Sequence, residues 1–483
     1  MKYFVKVVLG VALACIFALV NQGEASAESI SSKCSYTPVN GENPDMSTTN
    51  CLLTEAALAK NVPPEIVKAI AEGESGNWRQ FDSNGDPIVT SDNGIGIMQI
   101  TNKSGYDEEK LKNDIVYNIE AGVKVLDEMY RRSDLPSINA GDRDVLEHWY
   151  FAIMAYNGTK PVNSPIVQST GDRNTDAYQE KVLKIIDDLG LIKPQTLPFK
   201  SSDFKYDSNS SKNIEFITMD YHFTIPLTKT KHRFLKDDQV KTTTATRLRT
   251  GPSTDTSIKA SLQEGEVLTV NGPFVYEKVA DRKNHYVWYP VKRSDGSTGY
   301  VASSFLKFKF KDVPANYWAE DHIYYLYDST LLYGMGNGQF GLGKNLTRAH
   351  AAILMNRAKN ISTENRPDPG FTDVPKDHKY YDDIAAAVDE GLFVGVKETK
   401  FDPDATLTRA QMAVVLQRVY EFPKASNDHP FTDVKNGSWY DEAVTRLYDA
   451  EITAGVTKTK FGPDDKITRE QFAVFMGRSI QYK

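Results

Sequence analysis

A helix that carries one carboxylate on its apolar face is the first place to look for acid–base chemistry. The segment Pro64-Glu-Ile-Val-Lys-Ala-Ile-Ala-Glu-Gly-Glu-Ser-Gly76 has that pattern. Pro64 suits a first helical turn, where a missing N–H costs nothing. Ile66, Ile70 and Glu74 fall four apart and share a face about 80° wide, inside the usual apolar stripe. Glu72 points about 200° away from Glu74, toward expected solvent. A carboxyl on the buried face loses hydration, and its pKa rises. It then stays protonated near neutral pH, as a general acid must. Gly73 and Gly76 flank it and permit close approach of backbone or ligand. Spacing alone leaves open a purely structural glutamate, satisfied by hydrogen bonds at a helix end.

Three further blocks follow in order: Gly94-Ile-Gly-Ile-Met-Gln-Ile100, Asn118-Ile-Glu-Ala-Gly122 and Ala155-Tyr-Asn-Gly158. With Glu74-Ser75, this ordered set resembles soluble-type lytic transglycosylases and the related goose-type lysozymes over about residues 50–190. The resemblance implies a mostly α, lysozyme-like catalytic domain with a cleft for peptidoglycan glycan strands. Carried over, it makes Glu74 the acid that protonates the leaving oxygen and then the base. Ser75 and Gln99 would hydrogen-bond sugar groups, and Met98 would wall the cleft. Tyr156 would hold the Glu74 carboxyl, and Asn157 would support the backbone nearby. From the residues alone, Met98 equally fits core filling, Tyr156 a plain buried tyrosine, and Asn118 a pin for its helix. Asp82, Asp86 and Asp92 lie in the intervening stretch. One of them could supply the second carboxylate that an inverting glycosidase needs. Lytic transglycosylases manage without one, because the substrate's own 6-hydroxyl attacks. Non-hydrolytic cleavage and muramidase hydrolysis therefore both stay open, and a non-catalytic, glycan-binding surface-layer protein is the alternative of another class. No histidine or cysteine cluster has metal-ligand spacing, so neither metal nor cofactor is expected.

Several elements must position these residues. Helices are expected over Leu52–Asn61, from Pro63-Pro64 onward, over Asn118–Arg131 and over Val145–Asn157. Pro194, Pro198 and the run Asp207-Ser-Asn-Ser-Ser211 read as a linker. From Ile214 short alternating runs, such as Val267 with Thr269 and Tyr286 with Trp288, suggest strands of a small all-β barrel. Arg247-Leu-Arg-Thr-Gly-Pro-Ser253 and Gly299-Tyr-Val-Ala-Ser-Ser-Phe-Leu306 resemble bacterial Src-homology-three-like domains, as wall binder or passive spacer.

The last third repeats. Phe310-Lys-Asp-Val, Phe371-Thr-Asp-Val and Phe431-Thr-Asp-Val recur at intervals of 61 and 60, as do Thr347-Arg-Ala-His, Thr408-Arg-Ala-Gln and Thr468-Arg-Glu-Gln. Units this small share a core with their neighbours. Thr408 with Gln411 and Thr468 with Gln471 form capping boxes, and Thr347 with His350 does not. These motifs resemble S-layer homology domains. The resemblance implies three mainly helical repeats forming one pseudo-threefold unit that binds the pyruvylated secondary polymer of a Gram-positive wall. Arg348, Arg409 and Arg469 would meet carboxylates at helix N-termini, and Trp318 and Trp439 would stack on sugar. The bland alternatives are arginine–aspartate pairs and tryptophans in the shared core.

The whole chain has 483 residues and a net charge of −7. At roughly 150 residues per domain that is about three domains. An acidic balance argues against nucleic-acid binding. Lys2, Lys6, the apolar stretch Val7–Val20 and Ala25-Ser-Ala27 read as a secretion signal, with a lipoprotein site at Cys15 as the weaker alternative. Its removal takes away two lysines and one glutamate and leaves a net charge of −8. No other run approaches the ~18 apolar residues of a membrane span, so no stable membrane insertion is expected. Export to an oxidising compartment favours pairing of Cys34 with Cys51 over two free thiols, worth about 3 kcal/mol for a loop of that size. The expected organisation is a signal peptide (1–27), lysozyme-like domain (28–192), linker (193–213), barrel (214–308) and repeats at 309–366, 367–426 and 427–483.

Overall fold

The computed structural model describes residues 29–482; the expected signal peptide at 1–27 lies outside them. The amino-terminal part is helical. Its elements are α1 (Ile30–Lys33), α2 (Met46–Ala59), α3 (Pro64–Ser75), α4 (Glu108–Asn113), α5 (Ile115–Tyr130), α6 (Tyr150–Asn157) and α7 (Tyr178–Gly190). Asp45 caps α2 through the Thr48 N–H at 2.7 Å, so the helix starts well before Leu52. A disulfide joins Cys34, just after α1, to Cys51 in α2. No helix among the described residues is long and apolar enough to cross a membrane.

α3 is the centre of this part. Pro63 caps its start, Gly76 ends it in the left-handed conformation at φ 56°, and every residue from Pro64 to Ala71 is buried. Its apolar side meets α2 and α7. Its polar side is buried as well, against a different part of the chain. Glu65 accepts hydrogen bonds from the Lys231 N–H at 2.7 Å and the Thr230 hydroxyl at 2.8 Å, and lies 2.9 Å from His232 Nδ1. Lys68 Nζ donates to the His285 carbonyl at 3.0 Å and sits 3.2 Å from His232 Nε2. Burial works against both charges, as it must in a dry site. It pulls Lys68 down to about 7, against the attraction of Glu65. It would raise Glu65, but His232 and the Lys231 N–H hold that carboxyl at about 2.

The segment expected as a linker is instead part of the helical core. Leu197, Phe199, Phe204, Ile214, Tyr221 and Leu227 are buried in the same apolar cluster as α3. Phe199 and Tyr221 pack edge to face at 4.9 Å, and Phe151 of α6 stacks on Tyr221 at 5.5 Å. Two short ladders pin the chain here: β2 (Phe204–Lys205) with β3 (Glu215–Phe216), and β4 (Asp220–Tyr221) alongside β1 (Ser137–Ile138). The polar run 207–211 is only the turn between β2 and β3. The domain therefore extends past residue 192, and the barrel starts later than residue 214. That barrel is one antiparallel sheet of β5 (Gln239–Thr242), β6 (Thr246–Arg249), β7 (Ile258–Leu262), β8 (Val267–Val270), β9 (Trp288–Lys292), β10 (Thr298–Ala302) and β11 (Leu306–Lys309), in the order β11-β5-β8-β9-β10-β6-β7.

The carboxy-terminal part contains α8 (Glu320–Asp328), α9 (Arg348–Lys359), α10 (Tyr381–Asp389), α11 (Arg409–Tyr420), α12 (Asp441–Asp449) and α13 (Arg469–Gln481). Helices pair across repeats: α9 with α10, α11 with α12, and α13 back with α8. Three backbone hydrogen bonds close the same cycle, from Leu346 N–H to Ile467 O at 3.0 Å, Leu407 N–H to Leu346 O at 2.9 Å, and Ile467 N–H to Leu407 O at 2.9 Å. Capping boxes form at Thr408–Gln411 and Thr468–Gln471, whereas Thr347 only accepts from the His350 N–H.

The buried lysine gives the fold a measurable pH dependence. The unfolded chain keeps Lys68 protonated to about 10.4, whereas the folded chain releases that proton near 7. The unfolded state then binds more protons in this window, and stability rises with pH across it. In thermal unfolding, the wild type should gain stability relative to Lys68→Met between about pH 7 and about pH 10. A difference that stays flat or falls with pH would contradict a folded Lys68 that sheds its proton.

Candidate active site

The last turn of α3 delivers Glu74 into a half-buried setting beside Tyr178 at the start of α7. Burial raises the Glu74 pKa, a hydrogen bond from Tyr178 partly offsets this, and the nearby charge of Asp92 raises it further. The Tyr178 hydroxyl, at the start of α7, donates to Glu74 Oε1 at 2.5 Å. Tyr178 is therefore the phenol that holds the carboxyl. Tyr156, expected in that role, donates to the Met98 carbonyl at 2.6 Å instead. It remains close enough for the Glu74 charge to help push its own pKa up, after burial.

The turn that carries Met98 and Gln99 is held by two buried amides. Asn118 accepts from the Met98 N–H at 3.0 Å and donates to the carbonyls of Ile95 at 2.9 Å and Leu111 at 3.0 Å. Gln80 accepts from the Ile97 N–H at 3.0 Å and donates to Leu111 at 2.7 Å. Both crowd Gly96, whose φ is +70° and where a Cβ would lie 2.2 Å from Gln80 Oε1. Only glycine satisfies both demands there. Met98 is fully buried and fills the notch left by Gly122, where a Cβ would come within 2.5 Å of it. It packs the wall from behind and does not line an open cleft. Gln99 turns its amide inward, donating to the Gly96 carbonyl at 2.7 Å and approaching the Thr90 hydroxyl at 2.7 Å. Ser75 donates to Ala71 O at 2.8 Å and accepts from the Arg79 N–H at 3.1 Å, so its hydroxyl is also committed locally. Asn157 is exposed and accepts from Asn163 Nδ2 at 3.0 Å. Asn163 in turn accepts from the Tyr178 N–H at 3.1 Å, so this pair sets where α7 begins and hence where the Tyr178 phenol lands.

Among the three intervening aspartates, Asp92 is the one whose charge reaches Glu74. It is exposed, and its Oδ1 lies 2.6 Å from the Thr90 hydroxyl, which holds its pKa below the usual carboxylate range. Asp82 closes its own loop by accepting from the N–H groups of Asn84 and Asp86. The site thus sets one carboxyl whose pKa is raised near one whose pKa is lowered, a separation of the kind that acid and base roles require. Tyr178, Gln80 and Asn163 were not singled out by the sequence, since each stands alone outside the four motif blocks.

The repeat arginines do something other than expected. Arg348 donates from Nε to Phe401 O at 2.8 Å and from Nη2 to Val394 O at 2.7 Å. Arg469 donates likewise to Phe340 O at 3.0 Å and Tyr333 O at 2.6 Å, and Arg409 Nε donates to Phe461 O at 2.7 Å. Each guanidinium lies over the ring of the same phenylalanine, at 4.6 Å for Phe401, 4.8 Å for Phe461 and 5.0 Å for Phe340. Each thus grips the loop of the next repeat, and the third returns to the first. None of them forms an ion pair to an aspartate among the described residues; loop carbonyls take two donor groups each of Arg348 and Arg469 and one of Arg409, whose Nη2 is buried without a hydrogen-bond partner. The repeat-opening aspartates hold the same loops from the other side. Asp312, Asp373 and Asp433 accept backbone N–H bonds at Phe340, Phe401 and Phe461, at 2.7, 3.0 and 2.9 Å. Trp318 and Trp439 are 58% and 66% exposed, which removes them from the shared core and leaves their rings open to a ligand.

Comparison with known families agrees with this division. A model of the transglycosylase SLT domain matches residues 52–179, a bacterial SH3 domain model matches 244–307, and an S-layer homology domain model matches 309–352, 370–413 and 430–473. The chain therefore carries a transglycosylase SLT domain, a bacterial SH3 domain and three S-layer homology domains. It is 30% identical over 173 residues to an S-layer protein of Bacillus thuringiensis subsp. finitimus, a match covering 35% of this chain and 21% of that protein. It is 32% identical over 171 residues to the surface-layer 125 kDa protein of Lysinibacillus sphaericus, covering 34% of this chain and 14% of that protein. An endoglucanase of Bacillus sp. (strain KSM-635) is 35% identical over 112 residues, 23% of this chain and 12% of that enzyme. The chain thus spans about a fifth or less of the length of these relatives. The domains together mark a protein of the bacterial cell surface, associated with the cell wall.

Arg348→Ala would strip the buried Phe401 carbonyl and the part-buried Val394 carbonyl of a charged donor and should destabilise the repeats by about 2 kcal/mol, read by denaturant unfolding. A cost near zero would mean that the loop carbonyls find other partners and that the arginine is free for a ligand.

Proposed function

We propose that this protein is a wall-retained enzyme that cuts peptidoglycan glycan strands between N-acetylmuramic acid and N-acetylglucosamine as a lytic transglycosylase. The observation that carries this reading is the Glu74 carboxyl, half-buried, raised in pKa and oriented by the Tyr178 phenol. Protonated Glu74 gives its proton to the glycosidic oxygen as the bond from that oxygen to C1 of muramic acid breaks. The carboxylate formed takes the proton from the muramic 6-hydroxyl as that oxygen bonds to C1. An anhydro sugar closes, and no water is consumed. Ser75 and Gln99 would meet sugar groups only by exchanging the local bonds they now make, and Asn157 acts through Asn163 on Tyr178.

A second outcome has its own support. Asp92 stands ionised near Glu74, where a base could activate water for muramidase hydrolysis. The reading from another class, a glycan-binding surface-layer protein without activity, finds no use for a carboxyl held with a raised pKa.

For retention, we read the three repeats as one pseudo-threefold, mainly helical unit, supported by the closed cycle of backbone bonds through Leu346, Leu407 and Ile467. Its ligand would be a pyruvylated secondary polymer of a Gram-positive wall. Trp318 and Trp439 would stack on its sugars, and the arginines would shape the grooves by fixing their loops.

Digestion of purified peptidoglycan followed by product mass tests the chemistry. Anhydro-muropeptides are expected from the wild type, and Glu74→Gln should lower their release by about 10²- to 10⁴-fold. Reducing muramic ends would assign hydrolysis instead, and equal release by Glu74→Gln would remove Glu74 from catalysis. Anchoring is tested in the full chain: Trp318→Ala with Trp439→Ala should reduce co-sedimentation with walls without changing turnover of soluble glycan. Unchanged sedimentation would shift retention to another surface.

A further inference from the structure

The barrel contacts the helix that carries Glu74, and it does so at that helix's polar stripe. Glu65, Lys68 and Glu72 are spaced i, i+3 and i+7 and share one face of α3, the side on which Glu72 was expected to meet water. Each is bound by residues of the chain beyond α7. Glu65 meets Thr230, Lys231 and His232, Lys68 meets the His285 carbonyl, and Glu72 meets Lys283. Lys283 Nζ lies 2.7 Å from both Glu72 carboxylate oxygens and 2.8 Å from Asn77 Oδ1. It therefore spans the end of the helix, binding Glu72 on one side of Glu74 in the chain and Asn77 on the other.

The backbone beyond that end is strained. Asn77 and Trp78 are consecutive non-glycine residues with positive φ, at 143° and 56°. Such a corner persists only where its surroundings over-determine it. Here Lys283 fixes the Asn77 side chain. The Trp78 ring packs against the His285 ring with centroids 4.8 Å apart, and its indole N–H donates to the Lys68 carbonyl at 3.0 Å. The same barrel loop is tied to α2 from outside: the Met46 N–H donates to Ala280 O at 2.8 Å, Asn50 to Asn284 O at 2.8 Å, and Ser47 to the Glu277 carbonyl. Both ends of the bridge are thus anchored.

We propose that the barrel is a positioning element for the active site, and that Lys283 is its key positioning residue, holding the α3 terminus and the 77–78 corner so that Glu74 meets Tyr178. The proposal rests on the reading of Glu74 as the acid. Lys283 touches no substrate in this scheme, and its effect is transmitted through Glu72 and Asn77. A displacement of the terminus of the order of 1 Å would loosen the Glu74–Tyr178 contact and slow chemistry far more than binding.

The test uses the full chain with Lys283→Met and Lys283→Arg, on soluble glycan strands and by amide hydrogen exchange. Lys283→Met should lower kcat roughly ten- to a hundredfold with KM within about twofold, and should speed exchange at the amides of residues 73–79. Lys283→Arg, which keeps the charge and the donors, should restore most of kcat. Unchanged kcat, a change confined to KM, or unchanged exchange at 73–79 would each overturn the proposal. If wild type and all variants release no product, the enzymatic reading fails, and the exchange result still decides whether the barrel holds this corner.

Discussion

Burial of α3 from Pro64 to Ala71, on its polar face as well as its apolar one, governs how the helical domain, the returning segment and the barrel fit together. α3 has an apolar face that the helical domain covers in the ordinary way and a polar face that bears two acids and a lysine. Burying that second face is costly unless each charge finds partners. The chain supplies them from segments more than a hundred and sixty positions downstream: Thr230, Lys231 and His232 for Glu65, and the 283–285 loop for Lys68 and Glu72. Helical domain, returning segment and barrel are thereby tied together around one element. The carboxyl at the end of that element inherits a fixed position and a half-buried setting.

The repeats solve a related problem with other chemistry. Each repeat is too small to bury its own apolar face, and each sends an arginine into its neighbour. The guanidinium satisfies loop carbonyls and covers a phenylalanine ring, while an aspartate of the neighbour satisfies the N–H groups of the same loop. Burial lowers the pKa of all three arginines, that of Arg409 to about 10, and the field of nearby aspartates works against this. These motif arginines hold loops together between repeats, while Trp318 and Trp439 stay exposed outside the shared core.

Much of this was legible in the sequence, and the failures share a cause. The placement of Glu74 on a buried face follows from helical periodicity, and the repeats from simple recurrence. The capping boxes at Thr408 and Thr468, and the lack of one at Thr347, follow from a local rule that tertiary packing does not override. The partner of Glu74 was not legible, because Tyr178 lies 104 residues away without a motif around it, whereas Tyr156 sits inside one. Glu72 was assigned to solvent because helical spacing distinguishes polar from apolar and cannot see another domain. The linker reading failed for a similar reason: the polar run at 207–211 is a true turn signal, but the aromatic residues around it, Phe199, Phe204, Phe216 and Tyr221, belong to a core whose other half lies on α6. Local rules located the elements and the half-buried carboxyl. Long-range pairing decided what each side chain does.

Burial raises the Glu74 pKa, and the Tyr178 phenol fixes where the carboxyl points while offsetting part of that rise. Carbon-13 labelling of glutamate side chains, with Glu74 assigned through Glu74→Gln, gives its titration directly in the full chain. The expected midpoint lies above the ~4.3 of an exposed glutamate, with the phenol of Tyr178 still protonated across the whole range. A midpoint at or below that of an exposed glutamate would contradict it.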